Sequence, residues 1–156
     1  MDTSGIARAL HVLAVVLWIG GVAMVTTILL PAVRRQVKKG EQVEFFERLE
    51  AGFAAQARWT TLLAGASGFW LVWRFDLWAR FADARFWWMH AMVAIWAIFT
   101  AMLFVLEPLF LHRRLRERSR RDPSGTLVLI QRFHWVLLVL SLITVFGAVA
   151  GSHGYL

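Results

Sequence analysis

The sequence predicts an all-α fold: an integral membrane four-helix bundle with a short amphipathic helix between the first and second spans. Three observations carry this expectation. The 156 residues are 59% hydrophobic and only 17% charged, against about 45–50% and 25% in an ordinary soluble domain. Mean hydropathy is +0.59. The apolar residues are gathered into runs close to the roughly 20 residues that a spanning helix needs.

The first run, Ala9 to Val33, holds no charge, is bounded by Arg8 and Arg34, and reaches Pro31 where a helix is expected to close. It is too long for the apolar part of a secretion signal and has no basic leader. The second, Trp59 to Trp73, has 15 residues between Arg58 and Arg74. That is short for a span, so the helix is expected to start before Arg58, with that side chain snorkelling to the interface. The third extends from Phe86 to Leu106 and on past Glu107 and Pro108 to His112. The fourth begins near Thr126, carries Arg132, and is uncharged from Phe133 to Leu156.

Between the first two runs Glu41, Glu44, Glu47 and Glu50 recur beside Phe45, Phe46, Leu49 and Phe53, which predicts the amphipathic helix. Six Arg and a Pro-Ser-Gly sequence between Arg113 and Gly125 predict a short polar hairpin. No internal repeat or linker divides the chain, so residues 1–156 are expected to form one domain.

Formal net charge is +7, and its distribution explains it without nucleic acid. The connections 34–58 and 113–125 carry 12 Lys or Arg, whereas the other side carries Arg8, Arg74, Arg80 and Arg85. The positive-inside rule then predicts a multi-pass protein of the bacterial inner (cytoplasmic) membrane with both termini periplasmic. With no Cys, a metal site would have to use His, Met or carboxylate.

Ionisable groups within a membrane mark sites by default. The topology puts His11 and His90 at similar depth near the outer face, on the first and third helices. Two imidazoles on facing helices supply the axial ligands of a b-type haem. On the third helix His90 is followed at helical spacing by Ala94, Ala97 and Ala101; on the first, His11 is followed by Ala14, Trp18 and Gly21. Small residues leave room for a porphyrin, although they also form seams between bare helices. Trp18 is a candidate to stack on the ring, His153 a candidate third ligand or carboxylate contact, and Arg8 and Arg85 candidate partners for the haem propionates. Arg74 and Arg80 flank the same face, and an interfacial charge belt explains any one of these Arg without a ligand. The remaining Trp residues mostly suit an aromatic belt.

The other half of the membrane holds Glu107, Arg132, His112 and His134. A structural ion pair between Glu107 and Arg132 is expected there, with a second haem between His112 and His134 as an alternative. Met89 and Met92 beside His90 would make, with His11, a soft copper(I) site.

The stretch Leu10-His11-Val12 through Trp18-Ile19-Gly20-Gly21, followed by a basic loop, resembles the first helix of the copper-resistance protein D superfamily and of the related HemJ-type protoporphyrinogen oxidases. Trp88-Met89-His90-Ala91-Met92 resembles the start of their third helix. The resemblance spans the four-helix layout on short motifs, and it implies that His11 meets haem or porphyrin. Met92 stands where the oxidases carry an essential Lys, and their Asn-Glu-Pro stretch is not recognisable. The reading reached is a haem b membrane protein moving electrons between a membrane quinol or redox protein and an outer acceptor. Copper transport and a protoporphyrinogen oxidase-like activity are the alternatives, and a homodimer is a candidate assembly.

Overall fold

The computed structural model describes residues 3–155, and the side chains of all of these but 110–113 and 116. Helix α1 runs Thr3–Gln36 and α2 runs Gln42–Arg74. Short 3₁₀ turns, Leu77–Ala82 and Ala84–Phe86, lead into α3, which covers 87–121, and α4 spans Pro123–Ser152. Strands are absent among the described residues. Three helices, Thr3–Gln36, Ala84–Leu109 and Pro123–Ser152, are long and apolar enough to cross a membrane.

Two prolines sit inside helices, and each is accompanied by a widened turn. A proline ring collides with the carbonyl four residues back and offers no N–H. Ahead of Pro31 the helix opens into a π segment, Val25–Leu29, then resumes and runs on to Gln36 rather than closing at the proline. Pro108 lies within a longer π segment, Met102–Leu111. Such π turns relax the clash by lowering the local twist.

The amphipathic stretch and the second apolar run are one helix, not two. Ala51, Ala54, Ala55 and Ala57 link the Glu-rich half of α2 to its apolar half, and these are strong helix formers. The chain reverses between α1 and α2 under the Gln42 side chain, whose amide donates to the carbonyls of Arg34 and Val37, both at 3.1 Å. The polar hairpin expected at 113–125 is also corrected. Helix α3 continues to Arg121, and Asp122 caps α4 by accepting from Gly125 N at 2.8 Å, with Pro123 in the first turn. Pro is at home there because the first N–H groups of a helix lack acceptors anyway.

Helices pack antiparallel in chain order, α1 on α2, α2 on α3 and α3 on α4. The seams are built by aromatic rings set over glycines. Phe53 covers Gly21, Trp96 covers Gly65, Trp87 covers Gly147 and Trp88 covers Gly151, so that a Cβ at any of the four would overlap the ring. Trp87 and Trp88 thus pack between helices rather than serving only as a belt. One core cluster gathers Ala14, Trp18, Val22, Ala64, Phe99 and Leu137. A second gathers Val25, Leu30, Val33, Phe46, Leu127 and Ile130 at the other end. Several buried hydroxyls bond within their own helices, Thr26 to Val22 O, Ser141 to Leu137 O and Thr144 to Leu140 O, whereas those of Thr61 and Thr100 have no partner among the described residues. The outward faces remain apolar, with Ile28 at 64% and Phe146 at 71% exposure.

Candidate functional site

His11 lies on the α1 face that carries Ala14 and Trp18, both buried. Its Nδ1 is 3.0 Å from the Ala64 carbonyl and 3.1 Å from Ser67 Oγ, both on α2. A carbonyl only accepts, and the Ser67 hydroxyl proton is directed at Leu63 O, 2.6 Å away. In the neutral ring the His11 proton is therefore on Nδ1 and the lone pair on Nε2. Gly68 makes the space: a Cβ there would stand 3.0 Å from His11 Cε1. The Ala64, Ser67 and Gly68 cradle was missed by sequence reasoning. Its signal is the small-residue stretch Ala64-Gly65-Ala66-Ser67-Gly68 in the middle of an otherwise bulky run.

His90 is held the other way round. Its Nε2 is 3.0 Å from the Phe81 carbonyl, and its ring meets the Phe81 ring edge-on at 5.4 Å. This pins the Leu77–Ala82 turn across the start of α3 and leaves Nδ1 as the lone-pair nitrogen. The two imidazoles expected to face one another are turned to different elements, His11 to α2 and His90 to this turn. The Ala94, Ala97 and Ala101 stripe that continues from His90 is exposed, and Gly21 is covered by Phe53. Trp18 packs edge-on against Phe99, with centroids 4.9 Å apart, and its Nε1 is buried with no partner among the described residues. Met89 is buried and Met92 half-buried; among the described residues no group of three His, Asp or Glu could hold a metal ion. His153, at the end of α4, is exposed and bonds Val149 O at 2.8 Å through Nδ1.

The arginines at this end divide into two kinds. Arg85 is committed to Asp83, with Nε at 3.0 Å and Nη2 at 2.7 Å from its Oδ2. That hydrogen-bonded guanidinium holds the Asp83 carboxyl below the usual carboxylate range. Arg8 instead lies 4.7 Å over the Phe75 ring, with Arg74 at 5.9 Å, and Arg80 lies 4.9 Å over Phe86. An open recess of about 390 Å³ is lined by Arg8, Leu71, Phe75, Leu77 and Arg80.

At the opposite end Glu107 is paired with Arg58 at 3.1 Å, where the depth argument expects Arg132. Arg58 belongs to α2, so it does not snorkel outward but crosses to α3. His134 bonds Ile130 O through Nδ1 at 2.9 Å, and its Nε2 is 3.6 Å from Glu50. The side chain of His112 lies outside the described residues, and with it the expected second haem between His112 and His134. Compared with protein-family models, curated proteins and solved structures, the chain matches none.

Proposed function

We propose that the chain is a four-helix protein of the bacterial inner membrane that binds haem b near its outer face, with His11 as ligand, and passes electrons between a membrane quinol or redox protein and an outer acceptor. The outward apolar faces support membrane insertion, because large side chains such as Phe146 would each cost on the order of 1.5–3 kcal/mol if left in water rather than lipid. The 12 basic residues around 34–58 and 113–125 then lie in the cytoplasm and both termini in the periplasm.

The observation that carries the haem reading is the His11 hydrogen bond. Ligating imidazoles characteristically give their second N–H to a carbonyl, which fixes ring orientation and raises the basicity of the free nitrogen. Ala64 and Ser67 do this for His11, and Gly68 leaves clearance along the ring edge. The unpartnered Trp18 Nε1, two turns deeper on the same face, also fits a polar atom of a bound group. His90 would offer Nδ1, or Nε2 once released by Phe81. Bound haem supplies a one-electron iron couple; the apolar helices around it exclude water.

The test is the reduced-minus-oxidised visible spectrum of the purified protein, expressed with haem available. A Soret difference that disappears in His11→Ala and weakens or shifts in His90→Ala is expected. A folded wild-type protein without that signal, or one whose signal survives His11→Ala unchanged, would overturn the reading.

A further inference from the structure

We infer that the recess at the end of the α1–α2 seam binds an acidic amphiphile, its anionic group held by Arg8 and Arg80 and its apolar body laid on Leu71, Phe75 and Leu77. The volume of about 390 Å³ lies within the range of small-molecule sites, and three of its five lining residues are apolar. Its two polar members are both guanidinium groups.

Neither Arg8 nor Arg80 has a carboxylate partner among the described residues, in contrast to Arg58 and Arg85. Each is steadied by an aromatic ring instead, Arg8 by Phe75 and Arg80 by Phe86. A ring restrains the guanidinium plane without using its N–H donors, which remain free to form the paired bonds that recognise carboxylate or phosphate. Two such forks beside an apolar floor at the end of long apolar helices select an anion with a greasy body over a small soluble ion.

Register ties the recess to the seam below it. Arg8 precedes His11 by three residues on α1, and Leu71 and Phe75 follow Ser67 at four-residue steps on α2, so the recess lies one turn beyond His11 on the same two helix faces. A porphyrin bearing carboxylates is one source of this chemistry, and here the inference rests on the haem reading. An anionic phospholipid is the other, and it needs no haem. Arg80, rather than the Asp83-bound Arg85, is the second cation of the site.

The experiment uses the full chain, purified in a neutral detergent and stripped of lipid, in two arms. One compares retention of phosphatidylglycerol with phosphatidylcholine by native mass spectrometry. The other compares iron-free mesoporphyrin IX with its dimethyl ester by quenching of tryptophan fluorescence. In at least one arm the acid should bind in preference to its neutral counterpart. Arg8→Gln and Arg80→Gln should each weaken that binding about tenfold, as expected for loss of a charged hydrogen bond, and Arg85→Gln should leave it unchanged. The responding arm names the source. No preference for the acid in either arm of the wild-type protein would overturn the inference, whatever the variants do. So would undiminished acid binding in folded Arg8→Gln and Arg80→Gln. Because neither probe contains iron, failure of the haem reading shows separately, in the visible spectrum alone.

Discussion

Arg58 Nε donates to the carbonyl of Leu103 at 3.2 Å while its Nη2 holds Glu107. In the i→i+5 register of the Met102–Leu111 segment, the residue that should donate to Leu103 O is residue 108, and Pro108 has no N–H. One side chain from α2 thus satisfies a backbone acceptor that α3 cannot satisfy itself and neutralises the carboxylate beside it. Helices that lack water around them need such repair of a freed carbonyl.

The Arg58 arrangement predicts coupling between positions 58 and 108. Arg58→Met should destabilise the detergent-solubilised protein by about 1–2 kcal/mol, the range for a partly exposed charged pair rather than a sealed one. Pro108→Ala restores an N–H donor in α3, so Arg58→Met should cost about 0.5–1 kcal/mol less in that background. A double-mutant cycle on thermal unfolding reads the difference. Strict additivity would show that Arg58 does not serve the Leu103 carbonyl.

Glycines that carry a ring should tolerate no methyl, and glycines that do not should welcome one. Gly65→Ala drives a Cβ into Trp96, whose Nε1 donates to Thr61 O at 3.0 Å, so overpacking of about 1–3 kcal/mol is expected. Gly20 and Gly52 have nothing within 4 Å, and Ala there should stabilise by up to about 1 kcal/mol through helix propensity. Trp96→Leu should relieve part of the Gly65→Ala penalty. Equal losses at Gly65, Gly20 and Gly52 in thermal melts would remove the distinction.

Much of this was legible from residue order, and the unread part has one physical origin. Charge-free runs such as Ala9 to Val33 exposed the long helices, since apolar length does not depend on neighbours. Position along the helix axis was legible too: His11 lies near the end of α1 that carries Arg8. Rotation about the axis was not. Whether His11 faces α2 or α3 depends on which neighbour offers small residues at that level, and Ala64, Ser67 and Gly68 decide it. The Pro-Ser-Gly sequence was misread because these residues serve turns and helix starts equally; Asp122 at the cap position was the discriminating residue.

The His11 cradle predicts that Gly68 controls the ring. Gly68→Ala requires the imidazole to yield by a few tenths of an ångström, and Gly68→Val requires more, while the Ala64 carbonyl stays in place. Haem occupancy, measured as Soret absorbance per protein, should fall several-fold in Gly68→Val and little in Ser67→Ala, which keeps the principal acceptor. A Gly68→Val protein with full occupancy and an unshifted spectrum would show that His11 does not present its nitrogen from this cradle.

The turn between α2 and α3 carries a pH dependence whose sign follows from Asp83. Its carboxylate accepts from Arg85 N at 2.9 Å and from the Arg85 guanidinium, which holds its folded pKa below the ordinary 3.8. A group lowered on folding stabilises fully above the unfolded value. Its contribution is lost as pH falls from 3.8 through the lower folded value. Asp83→Asn can still accept at the turn but cannot titrate or pair. Wild type and Asp83→Asn should therefore differ by a constant amount in melting temperature at neutral pH, and the difference should change from pH 3.8 downward and level off only below the lowered folded value, where the carboxyl is neutral in both states. Because the pair is exposed, added salt should shrink the neutral-pH difference. A gap that stays constant to the acid limit, or no gap at neutral pH, would show that the charge on Asp83 plays no part in holding the turn.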